Sequence, residues 1–100
     1  MKYHGIEIPR VALEEFCRRN HIRRLALFGS ILREDFGPQS DIDVLVEFEP
    51  GQTPGFDFIL IQDNLAEILG HSVDLHTPSS LSKYFRDEVL REAEVVYVAA

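Results

Sequence analysis

A glycine-serine pair and a pair of aspartates follow one another at a spacing that limits how this chain can fold. Gly29-Ser30 closes an apolar run at residues 25–28, and after ten intervening residues Asp41-Ile42-Asp43 opens a second apolar run at residues 44–46. Both runs have the length of buried strands, and ligands in α/β proteins collect where such strands end. The spacing therefore predicts two strand ends that share one site.

The two aspartates predict a metal site. Side chains alternate along a strand, so Asp41 and Asp43 are expected on the same face. Two carboxylates held together repel each other, and a hard divalent cation with a preference for oxygen ligands removes that repulsion. Magnesium usually takes one or two carboxylates and completes its shell with phosphates and water. The pair therefore predicts a Mg²⁺ site that a nucleoside triphosphate completes.

Gly29 and Ser30 predict the phosphate side of the same site. A glycine at a strand end lets the backbone approach a phosphate closely, and the serine hydroxyl adds a donor. A short helix beginning near residue 31 would direct its N-terminus to the same phosphates, and Arg33 either reaches back to them or is solvated. Taken singly, the glycine-serine pair is typical of a turn and the aspartate pair of a solvated strand edge; their joint placement favours a site.

Asp74 is a candidate third ligand because it interrupts the apolar pair Val73 and Leu75. An ionised carboxylate there is costly to bury unless it is paired or bound to metal, although on an edge strand it could simply face solvent. His76 shares a face with Asp74 if the strand continues, and either lines the site or serves as a solvated or capping residue. The remaining histidines, at positions 4, 21 and 71, show no metal-ligand spacing and receive no role.

Hydrophobic periodicity and turn residues predict an α/β (α+β) fold with a mixed sheet of three to five strands flanked by helices. The expected helices cover residues 9–19, 56–69 and 80–93, and the expected strands cover residues 25–28, 42–48, 73–75 and 95–98. We expect a single domain over residues 1–100, since that length supports one core.

Composition narrows the expected partners and location. The net charge of −7 argues against a stable nucleic-acid surface, which needs Lys and Arg to neutralise phosphates. The single cysteine, Cys17, excludes an internal disulfide and is expected in the core. No segment approaches the 18 or so apolar residues that span a membrane, so we expect no membrane partner and a cytoplasmic location.

Three segments together resemble the minimal nucleotidyltransferases (MNT) of the polymerase beta superfamily. They are Leu27-Phe28-Gly29-Ser30 with Arg33, then the run from Ser40 through Asp41 and Asp43 to Val46, and Val73-Asp74-Leu75. Within the superfamily the chain is most similar to the antitoxins encoded beside HEPN ribonuclease toxins. Members often have a glycine directly after the position of Arg33, where this chain has Glu34, so the loop is expected to differ in shape.

The resemblance implies a function and a role for each motif residue. Asp41 and Asp43 would bind the Mg²⁺ ions that hold ATP, and Asp74 would complete the second metal site and help activate the nucleophile. Gly29, Ser30 and Arg33 would hold the triphosphate. The implied reaction moves AMP from ATP to a hydroxyl, in this group a tyrosine of the partner HEPN toxin, which is thereby inactivated.

Two other functions stay open at this point. The protein could be an antitoxin that neutralises its partner by binding alone, with a vestigial nucleotide site, although all three aspartates are retained. It could also transfer a nucleotide to a small molecule, but such relatives generally carry an additional acceptor-binding domain for which this chain has no room.

Overall fold

A four-stranded mixed sheet forms the centre of the computed structural model, which describes residues 2–100. The elements in chain order are β1 (Lys2–Tyr3), β2 (Ile6–Glu7), α1 (Arg10–Arg19), β3 (Ile22–Phe28), β4 (Ile42–Phe48), α2 (Phe58–Leu69), β5 (Val73–His76), α3 (Arg86–Glu92) and β6 (Glu94–Val98). Two short 3-10 turns, Gly29–Leu32 and Pro78–Ser80, follow β3 and β5. The predicted mixed sheet of three to five strands flanked by helices is confirmed.

The strand order in the main sheet is β5-β4-β3-β6. β3 pairs antiparallel with both β4 and β6, whereas β4 and β5 run parallel. The parallel pair is connected through α2, as parallel neighbours require a crossover. This crossover brings the start of β5 beside the start of β4, which contains Asp43 of the aspartate motif.

The main core fills one face of the sheet. Alternate residues of β3, β4 and β5 pack there against the apolar stripes of α1 and α2, and the most deeply buried members include Phe16, Leu25, Val44 and Leu65. Cys17 belongs to this core, as predicted. The intervening residues of the same strands necessarily point to the opposite face, so the core fixes which side chains are available for a site.

The opposite face has only a small apolar cluster. Ala26, Leu45 and Leu81 are buried there, with Val89 and Ala93 from α3 and its C-terminal end packed against them. This cluster covers the middle of the face and leaves the adjoining end of β4 and β5 open to polar side chains.

Strand β3 begins three residues earlier than predicted. The first residues of the strand were not predicted because Arg23 and Arg24 are charged and weaken its apolar pattern. Both guanidinium groups lie near the carboxylate of Glu47 on β4, at 3.2 Å for Arg23 and 3.7 Å for Arg24. The cross-strand pairing thus accommodates the two arginines within the strand.

The two ends of the chain depart further from expectation. The predicted helix at residues 80–93 is reduced to α3, and Leu81, which is buried in the small cluster, has an extended backbone. β1 and β2 form a hairpin that was not predicted; its two-residue loop, His4-Gly5, has positive φ at both positions, 51° and 81°. The turn lacks the Asn-Gly or Asp-Gly pair that is typical of such hairpins, so the sequence carried little signal for it. No helix among residues 2–100 combines the length and the apolar character needed to span a membrane.

Candidate functional site

One row of residues crosses the open end of the second sheet face. The register pairs Phe28 on β3 with Asp43 on β4, and Asp43 with Asp74 on β5. Neighbouring strands lie about 4.8 Å apart, so the two aspartates project side by side. The parallel pairing of β4 and β5 therefore brings together two carboxylates that are 31 positions apart in the sequence.

His76 joins these two aspartates. Its Nε2 lies 3.2 Å from Asp74 Oδ2 and 3.7 Å from Asp43 Oδ1. One ligand atom from each of the three residues lies within 4.8 Å of the other two. The ring of Phe28 contacts the imidazole edge to face, with the ring centres 5.4 Å apart. The sequence predicted the face of the sheet on which His76 lies but left its role open, since its contact with both aspartates depends on the strand pairing.

The surroundings of Asp43 disfavour the charged form of its carboxyl group. Burial raises the pKa of this carboxyl above its ordinary value of 3.8; the charge of His76 opposes the rise, and the carboxylates of Asp74 and Asp41 add to it. A bound cation would reverse the repulsion between these carboxylates.

Gly29 provides the space beside Asp43. Its backbone has a φ of +76°, in the left-handed region, and a Cβ at this position would collide with Oδ2 of Asp43. Only glycine satisfies both constraints without a shift in the site. The glycine that the sequence predicted to approach a phosphate thus also makes room for a carboxylate.

Asp41 lies outside the three-residue group. It precedes β4, its side chain is exposed, and its Oδ1 accepts a hydrogen bond of 2.6 Å from the hydroxyl of Ser72. It is close enough to Asp43 to raise the pKa of that carboxyl. The structure therefore gathers Asp43 and Asp74 closely and leaves Asp41 at the margin, bonded to the residue before β5.

Ser30 and Arg33 lie on the turn after β3. The expected short helix begins earlier than predicted, as the 3-10 turn Gly29–Leu32, and the carbonyl of Ser30 accepts a hydrogen bond of 2.9 Å from the Arg33 amide. The guanidinium of Arg33 is exposed and lies 3.4 Å from Asp35 Oδ1. Ser30 is thus adjacent to Gly29 at the site, whereas the Arg33 side chain is directed to a neighbour on its own loop.

Two histidines to which the sequence assigned no role hold the loop between Gly29 and Asp41. His71 Nε2 lies 2.6 Å from the carbonyl oxygen of Ser40, directly before Asp41, and His4 Nε2 lies 3.0 Å from the carbonyl oxygen of Ile31. The Phe36 ring contacts both imidazoles, with ring centres 5.0 Å from His4 and 5.2 Å from His71. No local pattern could have revealed this contact, because the three rings come from distant parts of the chain.

The donor set fits a divalent cation. Two carboxylates and one imidazole lie within reach of a single ion, and the missing Cβ of Gly29 leaves Asp43 free to face it. Carboxylates suit Mg²⁺ and Mn²⁺, and they leave coordination positions for phosphate oxygens. The site can therefore hold a metal and an anionic ligand together.

Comparison with known proteins places the chain in a family. Residues 10–96 match the family described as the nucleotidyltransferase domain. Protein adenylyltransferase MntA of Thermococcus cleftensis is 40% identical over 86 residues, which cover 85% of this chain and 83% of that protein.

Solved structures agree with this result. A minimal nucleotidyltransferase is 37% identical and superposes with a TM-score of 0.69, covering 84% of this chain and 85% of the other. A toxin-antitoxin complex with AMP-PNP contains a chain that is 22% identical, with a TM-score of 0.71 over 91% of this chain and 74% of the other, a likeness of fold.

Proposed function

The chain belongs to the nucleotidyltransferase domain family, and from this premise we propose that it transfers AMP from ATP to a tyrosine hydroxyl of a partner HEPN toxin, as its antitoxin. The observation that carries the proposal is the close approach of Asp43 and Asp74 beside Gly29. The name of the Thermococcus relative, a protein adenylyltransferase, supports a protein as the acceptor. The toxin-antitoxin complex of similar fold, with its ATP analogue, supports both the partner and the nucleotide.

In this proposal each residue of the site has a distinct task. Asp43 and Asp74 hold a divalent cation, with Asp41 contributing from the margin, and Mg²⁺ bound there would neutralise the triphosphate and stabilise the leaving pyrophosphate. Gly29 and Ser30 offer the β3 turn to the phosphates. Arg33 would contribute to phosphate binding only if its guanidinium left Asp35, so we expect it to contribute least to nucleotide binding.

The reaction is an in-line displacement at the α-phosphorus. The acceptor oxygen forms a bond to phosphorus, and the bond between phosphorus and the bridging oxygen of pyrophosphate breaks. Asp74 is the more exposed of the two close carboxylates, with 52% of its side chain accessible against 28% for Asp43. It is therefore the better placed to meet an incoming hydroxyl and to accept its proton.

The open setting of the site suits a protein acceptor. Asp41 and Asp74 are exposed, and the small cluster beneath α3 covers only part of this sheet face. A hydroxyl carried on another protein can approach such a surface, and the partner itself would then help exclude water from the reaction.

The test is transfer of label from ATP to the HEPN toxin that the proposal takes as the partner. Asp43→Asn is expected to abolish transfer, because an amide removes the charge that holds the cation while preserving the shape of the side chain. Asp63→Asn is the matched control: it removes one exposed carboxylate from α2, and we expect transfer to continue at the original rate.

Mass spectrometry of the toxin separates this proposal from neutralisation by binding alone. An AMP adduct on a toxin tyrosine after incubation with ATP and Mg²⁺ is the expected result. A toxin that is neutralised without added mass, equally well by the original protein and by Asp43→Asn, would show that the antitoxin acts as a mask.

A further inference from the structure

The imidazole of His76 occupies a position that a metal ligand would take. Metal bonds to nitrogen and oxygen ligands of roughly 2.0–2.2 Å place two ligands of one ion about 3–3.5 Å apart at octahedral or tetrahedral angles. The separations of 3.2 Å from Asp74 and 3.7 Å from Asp43 are close to that range. The ligand atoms of all three side chains lie within 4.8 Å of one another, so a single ion could contact all three after rotation of the carboxylates.

The ring is also held in place from two sides. His76 ends β5 and pairs in register with Leu45, so its direction from the sheet is set by the strand. Phe28 packs against the imidazole from β3, and the His76 side chain is only 27% exposed. Ordering of a ligand before the ion arrives reduces the entropy lost on binding.

We infer that His76 is a direct nitrogen ligand of the cation held by Asp43 and Asp74, and that it shifts the preference of this site from Mg²⁺ toward Mn²⁺ and the later first-row metals. The inference rests on the cation site of the proposed function and adds a ligand to it. Imidazole suits transition metals, whereas a shell of carboxylate, phosphate and water suits Mg²⁺. One nitrogen among oxygen ligands therefore favours an ion that accepts both.

A competing role for His76 is to donate a hydrogen bond to Asp74 from outside the coordination shell. Histidines and carboxylates around metal sites are commonly arranged in that way. The two roles differ in one measurable respect, which is whether Nε2 is bonded to the ion. A spectroscopic signal from nitrogen distinguishes them, while a loss of activity would not.

The experiment uses the full chain with MnCl₂ as the only added ligand, so that no nucleotide nitrogen contributes. Electron spin echo envelope modulation reports ¹⁴N bonded to Mn²⁺, and an electron paramagnetic resonance titration gives the affinity. We expect ¹⁴N modulation in the original protein, its loss in His76→Leu, and Mn²⁺ binding at least about ten-fold weaker in that variant. Mg²⁺, measured by competition, should weaken less.

The matched control is His21→Asn. It removes one imidazole at an exposed position with a φ of 56°, a conformation that asparagine accepts readily. This variant should retain both the modulation and the affinity. His76→Gln serves as a second test variant: its amide keeps a polar side chain of similar reach at the end of β5, and it too should lose the modulation. Circular dichroism and thermal unfolding without metal check that each variant is folded.

Absence of ¹⁴N modulation in the original protein, or its persistence in folded His76→Leu, would overturn the inference. Failure of Mn²⁺ to bind at all would do the same. AMP transfer is scored separately: intact transfer without nitrogen coordination rejects only the role of His76, whereas nitrogen coordination without transfer rejects only the proposed reaction.

Discussion

Replacement of Gly29 by alanine tests whether the close approach of this glycine to Asp43 serves folding or the site. The added Cβ meets two obstacles: the left-handed backbone at φ +76°, and Oδ2 of Asp43. The left-handed conformation destabilises the folded state by about 1–2 kcal/mol when an L-residue replaces glycine. The carboxylate can rotate away from the new methyl group, which adds roughly 0.5–1.5 kcal/mol and draws Asp43 away from His76.

Gly51 provides a control for the backbone term alone. Its φ is +77°, and a Cβ there would meet no heavy atom within 4 Å. Gly51→Ala should therefore lose about 1–2 kcal/mol of unfolding free energy, and Gly29→Ala roughly 0.5–1.5 kcal/mol more because its carboxylate neighbour must rotate. Each kcal/mol lowers the melting temperature of a domain of this size by roughly 4–8 °C. Gly29→Ala should thus melt below Gly51→Ala, by the part of the loss that comes from the displaced carboxylate.

The same two variants should differ sharply in function. A displaced Asp43 misplaces the cation, and an error of about 1 Å at a reacting centre can cost on the order of 100-fold in rate. We expect that loss of AMP transfer for Gly29→Ala and close to none for Gly51→Ala. Added MnCl₂ should likewise raise the melting temperature of Gly51→Ala but not of Gly29→Ala, because only a bound ion stabilises the folded state.

Equal transfer by the two variants would refute the reasoning, since it would mean that Asp43 keeps its place despite the methyl group. A second check uses Asp43→Ala as the background. With the carboxylate gone, the extra cost of Gly29→Ala over Gly51→Ala should vanish, as expected for two residues whose effects couple only through their contact. A persisting difference would point to some other strain at position 29.

Two further predictions concern the core and the loop. Burial raises the pKa of the Cys17 thiol to about 12 from its ordinary 9.0. The folded protein should therefore react with a thiol reagent at pH 8 far more slowly than the urea-unfolded chain. Rapid labelling of the native protein would contradict this prediction. The thiol stays protonated in the folded state up to a higher pH than in the unfolded state, so its contribution to folding stability is complete below about pH 9 and declines as the pH rises toward 12. Cys17→Ala should flatten that decline. His71→Ala removes the 2.6 Å contact with the Ser40 carbonyl and one ring packed against Phe36. We expect the free energy of unfolding to fall by about 1–3 kcal/mol and hydrogen exchange at residues 33–40 to become faster. Unchanged exchange at these residues would indicate that other contacts hold the loop.

Elements with a strong local pattern were predicted closely from the sequence. Strand β4 covers residues 42–48 as expected, and α1 differs from its predicted span by one residue at the N-terminal end. Gly70 ends α2 in the left-handed conformation expected of a C-terminal cap. The prediction was wrong where the local pattern is weak, which is the case at the arginine-containing start of β3, the hairpin turn at His4-Gly5, and residues 81–85.

The sequence by itself determined which residues could form a site, because alternation along strands and the conformational freedom of glycine are local properties. It predicted one site that contains Asp41, Asp43 and Asp74 as ligands, with Gly29 and Ser30 beside them. Only the tertiary structure decided how they meet: the parallel register of β4 and β5 sets Asp43 beside Asp74, adds His76, and leaves Asp41 with Ser72. Strand pairing depends on how the crossover helix and the core pack, and contacts between residues so distant in the chain have no local signature.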